Sequence, residues 1–117
     1  MRCPGYCINE MITLSSLTKN HVVKIIPAGK SDILLIFDIP KGKKLYIDRI
    51  ACSYYPNTFI DFIVDGFIER IEREISINNP EVFDPPILAR SFVKAVGYNN
   101  DSIDHAFEFY IDGYLLK

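Results

Sequence analysis

Cys3, Cys7 and Cys52, His21 and His105, and the carboxylates Asp61, Asp65, Glu108 and Asp112 are the side chains through which this sequence could hold a metal or move a proton. Their spacing supports neither. Cys3 and Cys7 stand three residues apart rather than at the two-residue spacing of a zinc knuckle, and neither histidine belongs to a paired-ligand motif. The odd number of thiols argues against a complete disulfide framework and for a reducing compartment. A serine nucleophile needs a base and an oriented acid, yet the chain has no Gly-x-Ser-x-Gly elbow and no obvious serine for either histidine. The four acids could in principle supply the carboxylate pair of a glycosidase. However, Asp65 and Asp112 each precede a glycine in what read as hairpin turns, and Asp61 and Glu108 fall on the solvent side of alternating strands. Pro40-Lys41-Gly42-Lys43-Lys44 is basic, but it is too short for a phosphate-binding loop and opens no helix. The expectation is a protein without catalytic, cofactor-binding or metal-binding residues.

The tyrosines are the better functional candidates. Tyr54, Tyr55 and Pro56 share one loop, and Tyr98 stands beside Asn99 and Asn100 at the edge of another. Exposed aromatics next to amides suit carbohydrate stacking or protein contact. Packing within the loops is the competing reading.

These residues must be positioned by strands. Nearly half of the 117 residues are apolar and about a quarter are charged, enough for a core without staples. Isoleucine, phenylalanine and tyrosine dominate the large side chains, which suits pleated surfaces. Val22–Ile26 is closed by Pro27-Ala28-Gly29 and Ile33–Ile39 by Pro40-Lys41-Gly42. Leu45–Tyr54 changes parity midway, which predicts a β-bulge near Asp48-Arg49. Phe59–Val64 runs into Asp65-Gly66, a strong hairpin signal because both central positions of a type I′ turn need positive φ. Residues 67–77 fit either a strand or a helix, and the hairpin before them favours the strand. The prolines of Asn78–Pro86 predict an extended crossover, and Ile87–Gly97 reads as one long strand. Ala106–Ile111 ends in Asp112-Gly113, so a second hairpin should close the protein.

The two Asp-Gly segments share an acid four residues before the turn aspartate, a central phenylalanine, and an aromatic after the glycine. Duplication and convergence both account for this. The fold class expected is all-β, an antiparallel β-sandwich of about eight strands over residues 21–117 with a jelly roll as its candidate topology. Residues 1–20, with Ile8, Met11, Ile12 and Leu14 loosely at helical spacing, read as an N-terminal arm, a short packed helix or a first strand.

A net charge of −2 gives no field to concentrate phosphate backbones, so nucleic acid is not an expected partner. The longest apolar run, Ile33–Phe37, is far below the ~20 residues of a membrane span, and no unbroken apolar segment marks a secretory signal. That run is apolar at consecutive rather than alternate positions. One face of its strand should therefore need cover, from the arm or from a second subunit, and a homo-oligomer is expected.

Ile39–Ile50, with its Pro-x-Gly-Lys turn and a strand ending in Arg49-Ile50, resembles small β-sandwich accessory proteins of phage and archaeal virus particles. Ile63–Gly66, Ala89–Lys94 and Tyr110–Tyr114 continue the likeness, and the cysteine-bearing N-terminus stands outside it. The resemblance implies a non-enzymatic virion structural, decoration or attachment protein acting as an oligomer. Its partners would be other virion proteins, with a host-surface glycan as a further candidate. Its place would be the virion, assembled in the host cytoplasm. The alternative is a cytoplasmic carbohydrate- or protein-binding sandwich module.

Overall fold

The computed structural model describes residues 11–116, and turn chemistry divides them into nine strands. These are β1 (Ile12–Thr13), β2 (His21–Ile26), β3 (Ser31–Asp38), β4 (Lys44–Cys52), β5 (Thr58–Val64), β6 (Phe67–Ile71), β7 (Glu81–Ala89), β8 (Phe92–Asn99) and β9 (His105–Leu116). One antiparallel sheet runs β9-β4-β7, with β1 and β2 both paired to the other side of β9. The second runs β3-β8-β5-β6. The fold is the expected all-β sandwich. Its pairings are nested: β5 with β6, β4 with β7, β3 with β8, β2 with β9. The chain is thus one long antiparallel hairpin rolled into two sheets, which is the jelly roll.

The Asp65-Gly66 turn sits at the centre of that nest, joining Val64 to its partner Phe67 with φ of 53° and 93° at the two turn residues. The core lies between the sheets, where Phe62 of one packs against Phe109 of the other at 5.8 Å between ring centroids. Burying side chains of this size stabilises by about 1.5–3 kcal/mol each.

Sequence and structure part in three places. Residues 87–97 are not one strand: β7 and β8 meet at a tight turn on Arg90-Ser91 and belong to different sheets. The expected crossover at residues 78–86 is instead partly strand, because β7 starts at Glu81 and carries Pro85 and Pro86. It is a sheet edge, where a missing donor breaks no ladder bond. Asp112-Gly113 makes no hairpin. β9 runs through it unbroken to Leu116, so the similarity between the two Asp-Gly segments is not one of turns. Of residues 1–20, for which an arm, a short packed helix and a first strand stood open, Ile12 pairs with Leu115 and Leu14 is buried in a short 3₁₀ turn. Residues 1–10 lie outside the described residues.

Two bulges adjust which side chains face inward. Asp48 is the extra residue of β4, as its change of parity predicts, so Ile47 and Ile50 both reach the core. Leu34 is the extra residue of β3, which turns Leu34 and Leu35 inward together and leaves Ile33 and Ile36 outside. In the undecided stretch, β6 is a strand to Ile71, after which Ile75 joins the first sheet by paired backbone bonds to Cys52.

Candidate functional site

The four carboxylates do not converge. Asp61, on the outer face of β5, is nearly buried because Arg70 of β6 lies across it, donating to its two oxygens at 3.0 and 3.2 Å. The same guanidinium sits 3.8 Å from the centroid of Phe59, which in turn stacks on Tyr98. Glu108 and Asp112 lie on the opposite outer face, both on β9. Glu108 binds His21 at 2.6 Å, and Asp112 lies 3.8 Å from Arg49. Burial and then the charge of Asp112 push the hydroxyl of Tyr110 upward in pKa. Asp65 is consumed by backbone N–H groups of the β7–β8 turn. Each acid has its own partner, and no two of them face a common space as a glycosidase would need.

Of the tyrosine and amide candidates, Tyr55, Tyr98 and Asn99 are engaged within the chain. Tyr55 stacks on His105 at 4.2 Å, and its hydroxyl donates to the carbonyl of Ala106. His105 also binds Asp101 at 2.8 Å. Asn99 is fully buried, its amide nitrogen donating to the carbonyls of Ile26 and Ile103 and its oxygen accepting from Asp101. These groups fasten the loop at residues 100–104 to the β2–β3 turn. Tyr46 and Tyr114 stack on each other on the outer face of the first sheet, so each ring covers one side of its neighbour.

Cys52, the free cysteine among the described residues, lines a groove of about 250 Å³ with Ser53, Glu74, Ile75, Ser76 and Glu108. Burial pushes its thiol up to about 11, which keeps it protonated and unreactive at neutral pH. Cys3 and Cys7 lie outside the described residues. Among the described residues no group of three or more His, Cys, Asp or Glu side chains could hold a metal ion, and no helix is long and apolar enough to cross a membrane.

What remains is apolar surface at the two lateral edges of the sandwich. At one edge, Val23 and Ile25 of β2 are 62% and 68% exposed, and Ile33 and Ile36 of β3 are 41% and 53% exposed. The first pair lies on the outer face of one sheet and the second on the outer face of the other. At the opposite edge, Phe67 of β6 is 83% exposed, and Ile68 and Val82 are also largely exposed. There a groove of about 200 Å³ opens between the sheets, floored by Phe62, Val64 and Ile87. Ile33 and Ile36 come from the run singled out in the sequence, but the other residues do not. The doublets Val22-Val23 and Ile25-Ile26, which break strict alternation, were the available signal for β2. Phe67 gave none, because an aromatic after a hairpin turn is ordinary for an inward-facing position.

No protein-family model matches the chain, and no curated protein matches it significantly.

Proposed function

We propose that the protein is a non-enzymatic structural, decoration or attachment subunit of a virus particle and that it works as an oligomer. The observation that carries this reading is the exposed apolar edge formed by Val23, Ile25, Ile33 and Ile36. Side chains of this kind, clustered on a small soluble sandwich, are stabilised by a partner and are an aggregation liability without one. The jelly-roll order is compatible with the reading without selecting it, since the same topology serves capsid, lectin and cupin domains. The choice of a virion rests on the likeness of residues 39–114 to virion accessory proteins.

A carbohydrate-binding module is supported less well. Of the residues on which that reading relied, Asn99 and Tyr55 already have their amide and hydroxyl bonded to backbone.

Sedimentation equilibrium over about a hundredfold range of concentration tests the assembly, because association must follow mass action. Masses above the monomer are expected, and a monomeric mass throughout would overturn it. For the virion, capsid, portal or tail genes are expected beside this one, and a neighbourhood of cellular metabolic genes would count against it.

A further inference from the structure

The two apolar edges differ in charge, and the difference makes them complementary. At the β2–β3 edge Lys24 pairs with Asp32 and donates to the carbonyl of Ile33, tying the two strands together between their exposed apolar residues. The β6–β7 edge is open, with the groove under Phe67 between the sheets. Residues 19–36 carry three lysines against the single acid Asp32, whereas residues 69–84 carry five carboxylates against two arginines. Lys19 and Lys30 beside one edge, and Glu72 and Asp84 beside the other, form no ion pair among the described residues.

We propose that the occupant of the β6–β7 groove is the β2–β3 edge of a second copy of this chain. The inference rests on the assembly reading above and specifies its interface. Because strand order places the two edges at opposite sides of each sandwich, the contact is heterologous, and copies add head to tail into a ring or an open array. The Leu34 bulge interrupts β3, and Pro85 and Pro86 interrupt β7, so along these two strands the joint is made by side chains rather than by strand addition. The lysines of one copy then face the unpaired carboxylates of the next.

A mixing experiment separates this arrangement from any two-fold one. Ile25→Glu with Ile33→Glu disables the β2–β3 edge, and Phe67→Glu with Ile68→Glu disables the groove. All four positions are solvent-exposed, so both double variants should keep the wild-type circular dichroism. Each variant alone is expected to be monomeric at concentrations where the wild type associates. Their equimolar mixture is expected to give a one-to-one heterodimer that grows no further, since one live edge of each copy is used and the others are dead. As a milder probe, Lys19→Glu with Lys30→Glu should weaken wild-type association roughly tenfold. Variants that still associate alone, a mixture that stays monomeric, or lysine reversal without effect would overturn the edge pairing while the assembly reading stands. A wild-type chain that is monomeric throughout would overturn both.

Discussion

At Asp65 a side chain chosen for a turn also specifies a second turn far along the sequence. Its backbone takes the positive φ that the β5–β6 hairpin requires. Its carboxylate accepts N–H bonds from Arg90, Ser91 and Phe92, the nearest at 2.7 Å. Partial burial would raise the pKa of this group, but the three backbone donors outweigh it and hold the carboxyl below its usual value. Because the folded pKa is the lower one, the stabilisation is fully present above the ordinary carboxylate value of ~3.9 and is lost as the pH falls below it through the lowered folded value. Asn tolerates positive φ, so Asp65→Asn keeps the turn and removes the charge. The variant should be less stable than wild type by about 1–2 kcal/mol at neutral pH. Urea midpoints should converge as the pH falls through the lowered folded pKa, and a gap that stays constant would assign the loss to something other than the carboxylate. The same contact explains why the β7–β8 turn was illegible in the sequence. Ala89-Arg90-Ser91-Phe92 contains no glycine, proline, asparagine or aspartate, because the acceptor that holds it bent comes from Asp65, 25 residues earlier for Arg90.

Among the elements, the two Asp-Gly dipeptides show how partners override local chemistry. Gly66 has φ of 93° and open space around it, so its requirement is conformational. Gly113 lies within β9 opposite Ile47, beside the extra residue Asp48, where a Cβ would stand 2.4 Å from the carbonyl oxygen of Tyr46. Its requirement is close approach of backbone to backbone. Gly66→Ala should therefore cost about 1–2 kcal/mol, the strain of a left-handed alanine. Gly113→Ala should cost about 3 kcal/mol or more, since backbone atoms of the β4–β9 ladder cannot rotate away as a side chain would. Denaturant midpoints compare the two directly, and equal losses would contradict this assignment. The sequence contained enough to place β2 through β5 and the Asp48 bulge, because glycine, proline and parity changes mark them locally, whereas residues 67–77 fitted strand and helix alike. It could not tell a mid-strand Asp-Gly from a turn: β9 stays extended because β4 pairs along one side of it and β1 and β2 along the other, and none of these is near in sequence. The contact edges were legible only in part for a similar reason. Ile33 and Ile36 stood out as members of an unbroken apolar run, but the Leu34 bulge that decides which two face outward is a property of the β3–β8 register.

For the whole molecule, the nesting of strand pairs implies an order of assembly. The β5–β6 hairpin closes a two-residue loop, whereas β2 and β9 are separated by most of the chain, so the loop entropy that must be lost before a pair forms rises steadily outward from Asp65-Gly66. Folding that begins at the centre makes each later pairing a shorter closure than it would be in the open chain. The transition state should then contain β5, β6 and the neighbouring β8, with β2 and β9 joined after it. Ile71 of β6 and Ile26 of β2 are both fully enclosed core residues, so Ile→Val at either removes one buried methylene for a comparable loss of about 0.5–1.5 kcal/mol. Stopped-flow chevrons should separate them, with Ile71→Val acting mainly by slowing folding and Ile26→Val mainly by speeding unfolding. If Ile26→Val instead slowed folding as much as Ile71→Val, the outer pair would already be formed at the barrier and the nested order would be wrong. Late closure of β2 also bears on the proposed assembly, because β2 carries Val23 and Ile25: the β2–β3 edge is completed only when the last strand pair forms, so in that proposal a partly folded copy would not present it to the groove of another.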